Sequence, residues 1–142
     1  MKTIMCSPFA TVKHALKWTA LAVVILVLAQ ATVSAEDKVS VLMKQSLADM
    51  AGKVATVLTV DYAPGAVSDA HVHPGSVFAY VLEGSVILEM DGKPPQTFRS
   101  GEAFVELPGM VHNFRNASAS DPAKALGFQV APKGAPLQTN VQ

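Results

Sequence analysis

The regular alternation of short apolar runs with turn residues, from Val39 onward, most constrains the fold of this chain. Runs rich in Val, Leu and Phe recur at roughly 8–12-residue intervals, and Gly, Pro, Asp or Asn bound each of them. The run Val54–Tyr62 alternates and is closed by Pro64-Gly65, and a later run ends at Asp91-Gly92, a hairpin signal. This pattern predicts an antiparallel all-β fold, either a sandwich or a small barrel.

Two segments depart from that pattern. Leu42–Ala51 is the only stretch that could hold a helical turn, and it is short. From Ala131 onward the closely spaced Pro132, Gly134 and Pro136 predict a loose tail. We therefore expect the core of the barrel to span about residues 39–130.

The first 35 residues differ from the rest in charge and hydropathy. They contain three Lys and no acid, and 18 uncharged residues separate Lys17 from Glu36. Val33-Ser34-Ala35 fits the small-x-small rule of signal peptidase, so we predict a hydrophobic Sec-type signal helix over residues 1–35, cleaved after Ala35. The protein would then be periplasmic or secreted. The alternative is an uncleaved N-terminal membrane anchor, since 18 residues lie at the short end of what spans a bilayer.

Cleavage would leave residues 36–142 as a single, mildly acidic domain. This segment holds 8 basic and 11 acidic groups and no Cys, so it must be stable without disulfides. Over the whole chain, 11 Lys and Arg balance 11 Asp and Glu, which leaves no basic footprint for nucleic acid. We expect neither a nucleic-acid partner nor a stable membrane association after cleavage.

Three histidines of the predicted domain lie beside Pro or Gly at the ends of predicted strands. His71 and His73 are two residues apart, which in a strand places both imidazoles on one face with Cα atoms about 6.5 Å apart. His112 follows the Pro108-Gly109 turn, and a barrel interior could bring it opposite the other two. One divalent metal ion could be held there. The alternative is that the His-x-His pair is an exposed coincidence and His112 a core residue.

These spacings resemble the first sequence motif of the small single-domain cupins (cupin type 2, of the jelly-roll superfamily). That motif reads Gly, five residues, His-x-His, three or four residues, Glu, six residues, Gly. The corresponding residues here are Gly65, His71, His73, Val77 and Gly84.

The second cupin motif is matched by Gly101, Pro108-Gly109, His112 and Asn116, with the proline one place late. The resemblance implies a jelly-roll β-barrel of two sheets. It also implies a metal held by the three motif histidines, and a homodimer that pairs through an edge strand.

The position of the family's glutamate ligand is occupied by Val77, which cannot coordinate a metal. Three interpretations follow: a three-His site for Fe(II), Mn(II) or Zn(II), a carboxylate supplied from elsewhere, or a site that has lost its metal. Glu106 is the best substitute, because a hairpin loop over residues 107–111 would place it opposite His112, and opposed residues share a face. Its alternative role is that of an exposed strand-end acid.

The resulting functional hypothesis is an exported, metal-binding cupin with a small-molecule pocket. If the protein is an enzyme, we expect a non-haem metal-dependent dioxygenase, because a three-His Fe(II) leaves adjacent positions for a chelating substrate and O₂. Related cupins with three-His sites are dioxygenases of diketones or thiols. The competing hypotheses are a non-catalytic periplasmic module that binds or senses a metal, sugar or organic acid, and a metal-free structural partner. No organic cofactor is expected.

Overall fold

A computed structural model describes residues 37–141, and this part of the chain is built from β-strands. The predicted signal helix over residues 1–35 lies outside the described residues. Between residues 37 and 141 there is no helix long and apolar enough to cross a membrane. The all-β prediction is confirmed.

The strands follow one another with short connections. In chain order they are β1 (Lys38–Ser46), β2 (Lys53–Tyr62), β3 (His71–Val72), β4 (Ser76–Glu83), β5 (Ser85–Met90), β6 (Gln96–Arg99), β7 (Ala103–Glu106), β8 (His112–Asn116), β9 (Ala123–Pro132) and β10 (Thr139–Asn140). They form two five-stranded sheets. The first sheet has the order β1-β2-β9-β4-β7 and the second the order β10-β3-β8-β5-β6, with antiparallel neighbours throughout.

Strand β4 shows how the alternating pattern produces this sandwich. Val77, Ala79 and Val81 are buried, while Phe78 and Tyr80 between them are exposed. Because side chains point to opposite faces at every second residue, the first set enters the core and the second covers the outside of the first sheet. The most buried core residues come from both sheets and include Val81, Val86, Leu88 and Phe114.

Two sequence expectations about irregular segments are wrong. The segment expected to hold a helical turn is instead β1 for half its length, because strand pairing with β2 continues to Ser46. The tail expected to be loose from Ala131 is also ordered. Strand β9 pairs with β2 as far as Pro132, and Asn140 pairs with His71. The last residues therefore belong to the second sheet and lie beside the histidines.

Candidate metal centre

The three motif histidines meet between the two sheets. His71 and His112 are directly opposed on β3 and β8, and His73 follows β3 in the connection that leads to β4. One potential ligand atom from each ring lies within 4.8 Å of the other two, and all three side chains are buried. The structure thus brings together the three histidines that the sequence singled out.

Backbone carbonyls set the orientation of all three imidazoles. The Nδ1 atoms lie 2.8 Å from the carbonyl oxygen of Asp69 for His71, 2.7 Å from that of Leu137 for His73, and 2.8 Å from that of Met110 for His112. Because a carbonyl oxygen only accepts, each Nδ1 carries a hydrogen, which leaves Nε2 as the possible ligand atom of each ring. The three Nε2 atoms could therefore coordinate one ion.

Glu106 lies at the same point. Its Oε2 is 2.8 Å from Nε2 of His73 and 3.3 Å from Nε2 of His112, and the residue is only 4 % exposed. Nε2 of His112 is itself buried and makes no hydrogen bond. A buried nitrogen without a donor or acceptor is costly for the fold, and a bound cation would relieve that cost.

The geometry that brings Glu106 to the site differs from the predicted one. Glu106 does not face His112 across a hairpin, because β7 pairs with β4 in the first sheet while β8 belongs to the second. Its direct partner across the strands is Val77. Since opposed residues share a face, the carboxylate stands on the inner face next to the position where the family motif has its glutamate.

The pKa shifts of three site residues follow from burial and from the contacts around Glu106. Burial lowers the pKa of His71. Burial alone would also lower the pKa of His73, but the hydrogen bond and charge of Glu106 raise it. Burial alone would raise the pKa of the Glu106 carboxyl, and the adjacent His112 and His73 imidazoles hold it below its ordinary value.

Two further groups that the sequence did not single out support His73. Nε2 of Gln129 donates a hydrogen bond of 2.7 Å to the same Leu137 carbonyl oxygen and lies 3.2 Å from Nδ1 of His73. Gln129 is buried on β9, where it pairs with Val77. Its inward position follows from the alternation along β9, so correct register would have revealed it. The role of Leu137 belongs to its backbone, and side-chain patterns carry no signal for it.

A cavity of about 500 Å³ opens above these residues, within the usual range for small-molecule sites. His71, His73 and Glu106 line it at one end. Side chains from the inner faces of both sheets form the walls, among them Leu58 and Phe114. Two other acids of β4 and β5 are not part of the site: Glu83 is exposed, Glu89 pairs with Arg115 at 2.9 Å, and neither lines the cavity.

Glycines hold the loops that carry the site close to the barrel. A Cβ on Gly75 would lie 2.0 Å from the carbonyl oxygen of Val130, so only glycine lets the loop after His73 pack on β9. Gly109 has a φ of 71°, and its N–H donates a 3.0 Å hydrogen bond to the carbonyl oxygen of His73. The loops of the two sequence motifs are thereby joined.

Residues 58–128 of the chain match a protein-family model described as "Cupin domain". The chain is also 38% identical over 84 residues to germin-like protein 3-1 of Oryza sativa subsp. japonica. That match covers 55% of this chain and 37% of the rice protein, so the chain spans well under half of this relative.

Solved structures resemble the described fold. A conserved protein with a double-stranded β-helix domain from Klebsiella pneumoniae has a TM-score of 0.60 at 22% identity, over 75% of this chain and 85% of that one. The polyketide cyclase RemF of Streptomyces resistomycificus has a TM-score of 0.58 at 26% identity, over 77% and 74% of the two chains. A cupin-like protein from Thermotoga maritima has a TM-score of 0.56 at 21% identity, over 75% and 77%.

Proposed function

The chain belongs to the cupin family, and on that premise we propose that it is an exported metal-binding protein that takes a small molecule into its barrel. We propose His71, His73 and His112 as ligands of one divalent ion and Glu106 as the fourth. The observation that carries this proposal is the convergence of three buried imidazoles whose Nδ1 atoms are all bonded to backbone carbonyls. Such outer hydrogen bonds are the usual means of orienting a histidine toward a metal.

The donor set fits Fe(II), Mn(II) or Zn(II). Imidazole suits iron and zinc, carboxylate suits manganese, and three histidines with one carboxylate leave positions open on a six-coordinate ion. Glu106 would move from its contact with His73 to the ion, so its charge would offset part of the charge of the metal. The ion would also give the buried Nε2 of His112 a partner, because that nitrogen would coordinate it.

As an enzyme, we propose that the protein is a metal-dependent dioxygenase. When bound, the ion would supply Lewis acidity and open coordination positions for a substrate oxygen and for O₂. The chain's own part is to position the substrate against the apolar walls and to keep water out of the cavity. One fold relative is a polyketide cyclase, so enzymes occur among the proteins with this fold.

Metal content and oxygen consumption test the proposal together. Elemental analysis of the purified protein should give about one equivalent of metal per chain after reconstitution. Oxygen uptake by the Fe(II) form should respond to one member of a panel of diketones, thiols and catechols. Metal well below one equivalent would overturn the metal site. Full Fe(II) loading with no uptake across the panel would overturn the oxygenase and favour a non-catalytic binding or sensing module.

Export is proposed from the first 35 residues alone, as a Sec-type signal peptide cleaved after Ala35. Mass spectrometry of the protein recovered from the periplasm or medium checks it. The expected product begins at Glu36. Recovery of the intact chain in the membrane fraction would support the anchor instead.

We also propose a homodimer. The outer face of the first sheet carries the opposed aromatic pair Phe78 and Phe128, with Val105 beside them on the edge strand β7, and all three are exposed. Large apolar side chains in a row on an exposed face favour association. Sedimentation velocity should show a dimer that Phe78→Ser converts to monomer. A monomer at all concentrations for the unaltered chain would exclude it.

A further inference from the structure

The described residues that line the cavity above the four site residues include no positive side chain. Neither Lys nor Arg is among them, and their acidic residues are Asp37, Asp69 and Glu106. The remaining wall is mainly apolar and includes Leu58, Val60, Val77 and Phe104. A bound molecule therefore meets acidic residues and apolar surface. A bound metal ion would be the one strongly attractive group that the described lining offers to an anion.

Two cations on strands β8 and β9 form ion pairs away from the cavity lining. Nε of Arg115 lies 2.9 Å from Oε1 of Glu89, and Nζ of Lys124 lies 2.8 Å from Oδ1 of Asp61. None of these four residues lines the cavity. An anionic group at the far end of a substrate would thus lose its hydration without gaining a cationic partner among the described lining residues.

The buried phenol of Tyr62 is a further polar group of the cavity lining. Burial, and after it the charges of Asp37 and Glu106, raise the pKa of Tyr62 above its ordinary value. The phenol lines the cavity as a neutral group with an O–H that can donate to a ligand. It cannot supply the positive charge that the lining lacks.

A divalent ion held by neutral imidazoles and the Glu106 carboxylate has a net charge of one. A bidentate ligand that binds as a monoanion would cancel the charge at the ion, and each further anionic group would add negative charge that no Lys or Arg of the described lining offsets. The apolar wall, by contrast, favours a ligand whose other part is hydrocarbon or aromatic, because that part buries apolar surface on binding.

We infer that the cavity takes a largely apolar small molecule with one bidentate oxygen chelating end and no second anionic group. This substrate class rests on the proposed metal site. It excludes di- and tricarboxylates and phosphorylated compounds as ligands, and it places aromatic or aliphatic hydroxy-carbonyl compounds among those favoured.

Two matched chelators test the inference on the protein produced from the full chain and loaded with Zn(II), which does not undergo redox chemistry. Para-methylbenzohydroxamate and para-carboxybenzohydroxamate share one chelating end and differ at the far end in charge, with similar size. Zinc content is measured first, and calorimetric titration then compares the two affinities. We expect the methyl compound to bind at least about tenfold more tightly.

Variants at the cavity mouth show whether charge is the cause. Val67 lines the cavity and is 57% exposed, so Val67→Lys adds a cation at little risk to the fold, and Val67→Gln is its neutral control. Val67→Lys should reduce the ratio of the two affinities several-fold, because it improves binding of the carboxy compound. Val67→Gln should leave that ratio unchanged.

The outcomes separate the two levels of the proposal. Equal or tighter binding of the carboxy compound overturns the substrate class while leaving the metal site intact. Full zinc loading with no binding of either hydroxamate also overturns it. Failure to load zinc overturns the metal site and the substrate class together. A preference that Val67→Lys and Val67→Gln change equally would show that shape, and not charge, sets it.

Discussion

Strand β8 carries His112, strand β3 carries His71 with His73 directly after it, and the two strands are held in place very differently. Strand β8 lies inside the second sheet and forms five residue pairs with β5. Strand β3 has two residues, meets β8 only at His71 and His112, and is covered on its other edge by β10. His112 is therefore fixed by the sheet, whereas His71 and His73 depend on the C-terminal residues 137–141. The His112 half of the site is therefore an internal part of the second sheet, and the half with His71 and His73 is attached near its edge through β10.

Removing a histidine from each half should have the largest effect and should separate binding from stability. We expect both His73→Ala and His112→Ala to abolish metal binding, since either removes a ligand. His112 is only 2% exposed and packs edge-on against Phe114 at 5.6 Å, so its loss should also destabilise the metal-free fold by about 1–3 kcal/mol. His73→Ala should change that stability far less.

Metal titration by competition with a chelator and urea denaturation of the metal-free variants check this difference. If His73→Ala destabilised the metal-free protein as much as His112→Ala, the two strands would be equally part of the core. If either variant kept the affinity of the unaltered protein, that histidine would not be a ligand.

Glu106 connects the two halves, because its carboxylate approaches His73 and His112 together. We expect Glu106→Gln to lower metal affinity by at least about a hundredfold, because it removes a proposed ligand and the loss of an outer hydrogen-bond partner alone costs about 10–100-fold. Glu89→Gln is the matched control, because Glu89 pairs with Arg115 away from the cavity and should leave affinity unchanged.

An exchange of residues between β4 and β7 makes this prediction sharper. Val77 and Glu106 are directly opposed, so the double variant Val77→Glu with Glu106→Val returns the carboxylate to the family's usual position. It should recover affinity to within about tenfold of the unaltered protein. No recovery, in a protein that still folds, would mean that Glu106 acts through something other than its carboxylate near the metal.

The contacts that residues 137–141 make with His73 and β3 should have a smaller effect on metal affinity than the carboxylate of Glu106. Ending the chain after Pro136 removes the Leu137 carbonyl that accepts from His73 and the strand that pairs with β3. We expect metal affinity to fall about tenfold, with the barrel still folded by circular dichroism. Leu137→Ala keeps the carbonyl and should bind metal normally. Unchanged affinity after truncation would show that β3 holds its histidines without β10.

Protons should compete with the metal at His73. Glu106 raises the pKa of His73, so a proton displaces the metal there as pH falls through that raised value, above the ordinary histidine pKa of about 6.5. Metal affinity should therefore decline on the acid side, and Glu106→Gln should move the onset to lower pH. Chelator competition at several pH values checks both. An affinity that stays flat down to about pH 5 would contradict a site made of histidines.

The local chemistry of the chain predicted the strands and the histidine cluster, but not how the carboxylate arrives. Alternation and Gly or Pro turns determine which side chains face inward, so His71 and His112 could be expected to meet. Which sheet each strand joins depends on pairing across the whole barrel. The hairpin predicted to place Glu106 opposite His112 does not form, because β7 and β8 belong to different sheets. The support from Leu137 is a backbone contact, which no pattern of side chains encodes.

A crystal structure of the protein loaded with Zn(II), with anomalous scattering recorded at the zinc edge, tests the central claim most directly. We predict one ion between the sheets, about 2.0–2.1 Å from Nε2 of His71, His73 and His112, with the Glu106 carboxylate turned from His73 toward the metal. An ion bound at any other place, or an empty centre in which Glu106 still contacts His73, would contradict the account.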